Sequence, residues 1–115
     1  MNIIIRDPTL KKEDRYKQKT IMKGVDRLKQ RLEQYNGLDI SRIFGDDILI
    51  HDIIDKDKYV FKCRVNNIQV RILYTVNQDG DLVILSHWCK QETNKDYIRY
   101  FESLYSKKQD CVQVN

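Results

Sequence analysis

YVFKCRVNNIQVRILYTVNQDGDLVILSHWCK, residues 59–90, reads as three consecutive antiparallel strands. With Asn66-Asn67 as a two-residue turn, Val65 faces Ile68, Arg64 faces Gln69 and Lys62 faces Arg71 across the ladder. Those last four polar residues share one face of the sheet. Phe61, Cys63 and Val65 fall on the other with Ile68, Val70, Ile72 and Tyr74, the clearest core stripe in the chain. Directly opposed like charges repel, so the Lys62 and Arg71 pair calls for a carboxylate neighbour or a bound polyanion. A solvated, half-exposed sheet is the plain alternative. Of the polyanions, RNA phosphate leads.

The second connection, Asn77-Gln78-Asp79-Gly80, is either a four-residue loop or a two-residue Asp-Gly turn. Both place Arg71 on the face of Ile84, Ser86 and Trp88, and His87 on the face of Val83, Leu85 and Tyr74. Lys90 follows at once.

Outward from this meander, Asn2 to Ile5 is a short apolar strand candidate closed by Asp7-Pro8. Ile21, Val25, Leu28, Leu32 and Tyr35 then recur at four- and three-residue steps, one apolar stripe along an amphipathic helix that Asn36-Gly37 can cap. The helix begins as early as Thr9, or Gly24 breaks it in two. Its polar side is nearly all Lys, Arg, Gln and Glu, a pattern that more often means solvation than binding. In GLDISRIFGDDILIHDIIDKDK, residues 37–58, Ile48 to Ile54 is a short strand or an ordered loop. A last helix, capped by Thr93 or Asn94 with Asp96 in its first turn, carries Ile98, Phe101, Leu104 and Tyr105 on its apolar side. The tail CVQVN is frayed or adds an edge strand. The whole describes a single α+β domain over residues 1–115, with a small, mostly antiparallel sheet of about four strands, N-terminal helices and one C-terminal helix.

The composition fits a soluble globular domain, 41% apolar and 33% charged, with a mean hydropathy of -0.64. A net charge of +4 allows a polyanionic partner without requiring one, and its distribution says more than the total. Residues 10–36 carry nine Lys or Arg against four acids, whereas 37–57 carry two against six. Cys63, Cys89 and Cys111 are odd in number and lack metal spacing, which points to a reducing compartment. MNIII is too short for a signal sequence and no apolar run approaches membrane-spanning length, so a cytoplasmic protein is expected. There is no glycine-rich phosphate loop, zinc-deaminase spacing or Ser-His-Asp constellation, and neither metal nor cofactor is expected.

The order YVFKCR, QVRILYTV, DLVILSHWCKQET, then a helix, resembles the RelE/HigB-type toxin superfamily of toxin-antitoxin modules, including phage Gp49-like members. Arg64 matches the arginine of that family's Glu-Leu-Arg strand, with Lys62 and Cys63 where Glu and Leu usually stand. Arg71 and Tyr74 match its Tyr-Arg-Ile-Leu-Tyr strand, while Trp88 and Lys90 match the Phe and first Lys of its Phe-Val-Lys-Lys-Thr segment. Gln91 departs from the second Lys, and Glu92 brings a carboxylate where the family is usually neutral. The resemblance covers less than half the chain, and implies a RelE-like fold and a ribosome-dependent endoribonuclease that cleaves messenger RNA. It also implies a cognate antitoxin and the ribosome as partners. The same scaffold carries ParE-like gyrase inhibitors, so a gyrase inhibitor or a non-catalytic binding module are the alternatives.

Cleavage of RNA by its own 2′-hydroxyl needs that oxygen deprotonated, the phosphorane charge held and the leaving 5′-oxygen protonated. Arg71 and Arg64 suit the charge-holding role, because a planar guanidinium matches two phosphate oxygens and stays charged. Lys62 and Lys90 are placed at backbone or base edges, with proton transfer as a second role. Gln69, Lys95 and Tyr97 join them as RNA contacts, and Trp88 stacks on an unpaired base slightly in preference to packing. His87 titrates near neutrality but sits on the core side by parity, so a buried, hydrogen-bonded histidine is favoured over an acid-base catalyst; a β-bulge near Ser86 reverses that preference. His51 has no second ligand at metal spacing and reads as structural or incidental.

Overall fold

Asn66 and Asn67 both take left-handed backbone, φ 51° and 65°, which is the two-residue hairpin turn that matches strand twist. That turn sets the register of the hairpin. In the computed structural model β3 (Tyr59–Val65) pairs with β4 (Ile68–Val76) as Val65↔Ile68, Arg64↔Gln69 and Lys62↔Arg71, as the alternation requires. The structure describes residues 1–34, 48–49, 58–90 and 97–103, with the backbone alone at 48, 49 and 90. The expected Asn36-Gly37 cap, the caps of the last helix, Lys95, Leu104, Tyr105 and the CVQVN tail lie outside these residues.

The sheet is open, with strand order β1-β5-β4-β3-β2. β1 (Ile3–Ile5) lies parallel to β5 (Leu82–Lys90), and the two-residue β2 (Ile48–Leu49) pairs antiparallel with Phe61 and Val60 of β3. Four strands of three residues or more thus become five with β2, and every pairing except β1 with β5 is antiparallel.

The connection from β4 to β5 corrects the pattern-based register twice. Val76 pairs with Leu82, so the loop spans five residues, 77–81, one more than expected. Its closure is explained by Asn77, whose side-chain oxygen and carbonyl accept from the backbone amides of Asp81 and Gly80, and by Gly80 at φ 81°. A β-bulge then leaves Leu85 unpaired between Tyr74↔Ile84 and Leu73↔Ser86. The two single-residue offsets cancel beyond the bulge. Arg71 therefore does share the face of Trp88 and Ser86, and His87 that of Ile72 and Tyr74. Before the bulge the faces are exchanged: Ile84 joins Tyr74 in the core, and Leu85 packs on the opposite side, not with His87.

A 3-10 turn (Leu10–Lys12) precedes α1 (Arg15–Gln34), so the basic segment breaks before Arg15 and not at Gly24. Asp14 starts α1 by accepting from the amide of Lys17 at 2.8 Å. Gln18 spans the junction, its carboxamide donating to the carbonyls of Glu13 and Lys11. Ile21, Val25, Leu28 and Leu32 are all buried against Phe61, Val65, Val70, Ile72, Tyr74 and Ile84. Burial of side chains of this size contributes roughly 1.5–3 kcal/mol each before the entropy of ordering is set against it. Gly24 is what brings the helix down onto the sheet: a Cβ there would sit 3.1 Å from Ile72 Cδ1 and Val70 Cγ1 and 3.3 Å from Cys63 Sγ.

Residues 97–103 are helical and cover the opposite face of the sheet, where Tyr97 and Phe101 pack with Val60, Leu73 and Trp88. The domain is α+β, helix on sheet on helix. No described helix is long and apolar enough to cross a membrane.

Candidate functional site

The cationic face lies beside this second helix. Lys62 is half-buried, Arg64 is exposed, and Lys90 ends β5 opposite Gln69, which is itself paired with Arg64. Strand alternation thus gathers on one side the residues the pattern singled out, and neighbouring strands set them in two adjoining rows, Arg64–Gln69–Lys90 and Lys62–Arg71–Trp88.

Arg71 is at the centre of the second row and is tightly held. One terminal nitrogen donates to the carbonyls of Val70 at 3.0 Å and Cys63 at 3.3 Å, and the other donates to Gln69 Oε1 at 3.0 Å. The guanidinium carbon lies 5.4 Å from the centre of the Tyr97 ring, an arrangement that favours the cation. Burial lowers the pKa of Arg71, with Tyr97 and Cys63 opposing that shift, and the group stays charged as arginines in proteins do. Its Nε is buried with no hydrogen-bond partner. Among the described residues no carboxylate pairs with Lys62 or Arg71, so the repulsion across the hairpin is offset there only by carbonyl, carboxamide and ring dipoles.

The aromatic and amide residues expected to meet RNA serve first as packing. Trp88 is 7% exposed and meets the Tyr97 ring at 5.8 Å; Tyr97 and Gln69 are each 5% exposed. Base stacking on an open Trp88 ring is therefore replaced by a buried indole that flanks Arg71 on the same face, because the last helix covers it. What remains open to a ligand is the arginine and lysine rim. Lys95 lies outside the described residues, and Lys90 is placed by its backbone.

His87 stands elsewhere. Despite the bulge beside Ser86 it faces the α1 side, at 6% exposure, with Nδ1 bonded to Asp7 Oδ2 and Nε2 3.3 Å from Glu13 Oε1. Glu13 also pairs with Lys17 at 3.4 Å. Burial disfavours the imidazolium, but the hydrogen bonds and charges of Asp7 and Glu13 outweigh it and raise the pKa of His87. Burial likewise pushes Asp7 up, and the bonds from His87 and Thr9 outweigh that and hold it low. With both ring nitrogens facing carboxylates, an arrangement that favours the imidazolium, His87 is a buried structural histidine and not an acid-base group on the cationic face.

Asp7 and Glu13 as partners of His87 were not legible from spacing. The only local signal is Asp7-Pro8-Thr9, which forms an Asx turn with Asp7 Oδ1 accepting from the amide and hydroxyl of Thr9. Among the described residues no group of three His, Cys, Asp or Glu converges for a metal ion. Burial raises the pKa of Cys63 and Cys89, which disfavours their thiolates. No family model, no curated protein and no solved structure matches the chain.

Proposed function

We propose that the protein is a RelE/HigB-type toxin: a ribosome-dependent endoribonuclease that cleaves messenger RNA and is neutralised by a cognate antitoxin. The observation that carries the reading is the cluster of Lys62, Arg64 and Arg71 on one sheet face, with Lys90 at the end of the adjoining strand and a buried aromatic cluster beside it on the same face. The order of a leading strand, a helix, a three-strand meander and a closing helix agrees with what the resemblance implies.

In this reading Arg64, the exposed member of the cluster, meets the phosphodiester first, with the half-buried Lys62 beside it. Arg71 holds the phosphorane charge by exchanging carbonyl and Gln69 acceptors for phosphate oxygens, which places a fixed positive charge where negative charge develops. Proton transfer falls to Lys62 or Lys90, because His87 is occupied on the far side of the sheet. The antitoxin silences the protein by covering the cationic rim or the basic side of α1.

Induction in a bacterial host with pulse labelling tests the assignment. Translation should fall first, with cleavage ends on ribosome-bound messenger mapped by primer extension. A fall in DNA synthesis with translation continuing moves the assignment to a gyrase inhibitor, and undisturbed growth moves it to a non-catalytic binding module. Purification from its own host should recover a complex with a small acidic partner; recovery as a free protein from growing cells argues against the toxin reading.

A further inference from the structure

α1 presents two different flanks to the sheet. Arg27, Gln30, Arg31 and Gln34 fall at helical spacing on one flank, while Asp26 and Glu33 lie about 100° around the helix. Glu33 reaches the amino terminus of Met1 at 3.6 Å, on the β1 side. Arg27 reaches the other side, donating to the carbonyl of Arg64 at 2.6 Å, on the part of β3 beyond its pairing with β2. The helix thus lies with its basic flank along β3. Between them is a groove of about 560 Å³ lined by Arg27, Gln30, Arg31, Gln34 and Arg64 over a floor of Phe61 and Cys63.

We infer that this groove between the second half of α1 and β3 binds the phosphodiester backbone of a single nucleic-acid strand, as a cationic contact separate from the sheet face. The ligand class rests on the RNA reading of that face, whereas the geometry rests on the groove's own residues. The guanidinium-bearing residues Arg27 and Arg31 and the carboxamides Gln30 and Gln34 line it from the helix, Arg64 borders it where its carbonyl takes the Arg27 bond, and no lysine or carboxylate joins them among the described residues. Guanidinium forks match paired phosphate oxygens, and carboxamides add donors and acceptors for sugar or base edges.

A protein partner fits less well. Stable protein interfaces centre on desolvated apolar or aromatic anchors, but Phe61 is 2% exposed, and among the described residues the exposed large hydrophobics Met1, Ile5 and Tyr16 all lie outside the groove. Arg64 supplies continuity: its side chain belongs to the sheet face beside Gln69 while its backbone borders the groove, so one strand can pass from the sheet face around the edge of β3.

Fluorescence anisotropy with a short labelled 2′-O-methyl oligoribonucleotide, which has no free 2′-hydroxyl to drive cleavage, tests the site. Arg27→Gln with Arg31→Gln should weaken binding on the order of tenfold at low salt, and should reduce the slope of log affinity against log salt by about 1.4, two phosphate contacts on a single strand. Because Arg27 also holds the Arg64 carbonyl, Gln30→Glu with Gln34→Glu is the companion variant: both positions are exposed, the bond is untouched, and binding should weaken in the same direction. Wild-type affinity and slope in both double variants overturn the groove, and if Lys62→Gln weakens binding in the same assay the RNA reading of the sheet face survives that failure. A wild-type protein that binds no oligonucleotide removes both. Competition by poly-glutamate as effective as by unlabelled RNA overturns the nucleic-acid assignment in favour of an acidic protein segment.

Discussion

The imidazole of His87 and the carboxylate of Asp7, eighty residues apart in the chain, are bonded in the interior with side-chain exposures of 6% and 1%. They join β5 to the turn that leaves β1, and Glu13 closes the other side of the ring. A charged pair so deeply placed is costly to break on one side only, because the remaining charge is left without a partner.

The pair makes stability depend on pH in a defined sense. His87 has its folded pKa raised above 6.5, so its contribution is complete below about pH 6.5 and is lost as pH rises through the folded value. Asp7 has its folded pKa lowered below 3.8, so its contribution is present above that value and lost as pH falls through the folded one. Thermal melts of the wild type and His87→Gln should therefore differ most between about pH 4 and 6.5, with the gap narrowing at alkaline pH. An unchanged gap from pH 5 to pH 9 would show that the imidazolium form is not what stabilises the fold.

Arg71 has both a structural and a proposed chemical part, and substitution separates them. Arg71→Ala removes three hydrogen bonds and should cost about 1–3 kcal/mol, so loss of toxicity in that variant alone decides little. Arg71→Lys keeps the charge and loses the planar fork; it should remain folded and recover only part of the messenger cleavage seen by primer extension. Full cleavage by a folded Arg71→Ala protein removes Arg71 from the chemistry.

Gly24→Ala sets helix propensity against packing. The methyl gains about 1 kcal/mol as a helix former but enters a space bounded at 3.1 Å by Ile72 and Val70. All three neighbours, Ile72, Val70 and Cys63, are held in the sheet, so crowding should prevail and the melting temperature should drop by a few degrees. Adding Ile72→Val, which deletes one of the two methyls at 3.1 Å, should cost less in the Gly24→Ala background than alone, a coupling measurable by a double-mutant cycle.

Tyr74→Phe should be neutral or stabilising. The Tyr74 hydroxyl is buried without a hydrogen-bond partner and its pKa is pushed far up by burial, with Tyr59 adding to the shift. Deleting an unsatisfied oxygen recovers on the order of 1 kcal/mol of desolvation, whereas a clear fall in denaturation midpoint would mean that the hydroxyl is satisfied in solution.

Period-two alternation and the Asn66-Asn67 turn determined the β3–β4 register, and the apolar steps of α1 determined its buried face. Both are decided between near neighbours in the chain, where backbone geometry alone ties one residue to the next. The cationic row was legible for the same reason. Loop 77–81 and the Leu85 bulge were not, since an inserted residue is written in no composition signal, and only their cancellation kept His87 and Trp88 on the faces expected of them relative to β4. The parallel seat of β1 on β5, the burial of Trp88 under residues 97–103, the close approach at Gly24 and the Asp7–His87 bond belong to the tertiary structure. Each joins segments far apart in the chain, and such contacts are chosen by how whole elements pack and by which buried charges find a partner, not by local periodicity.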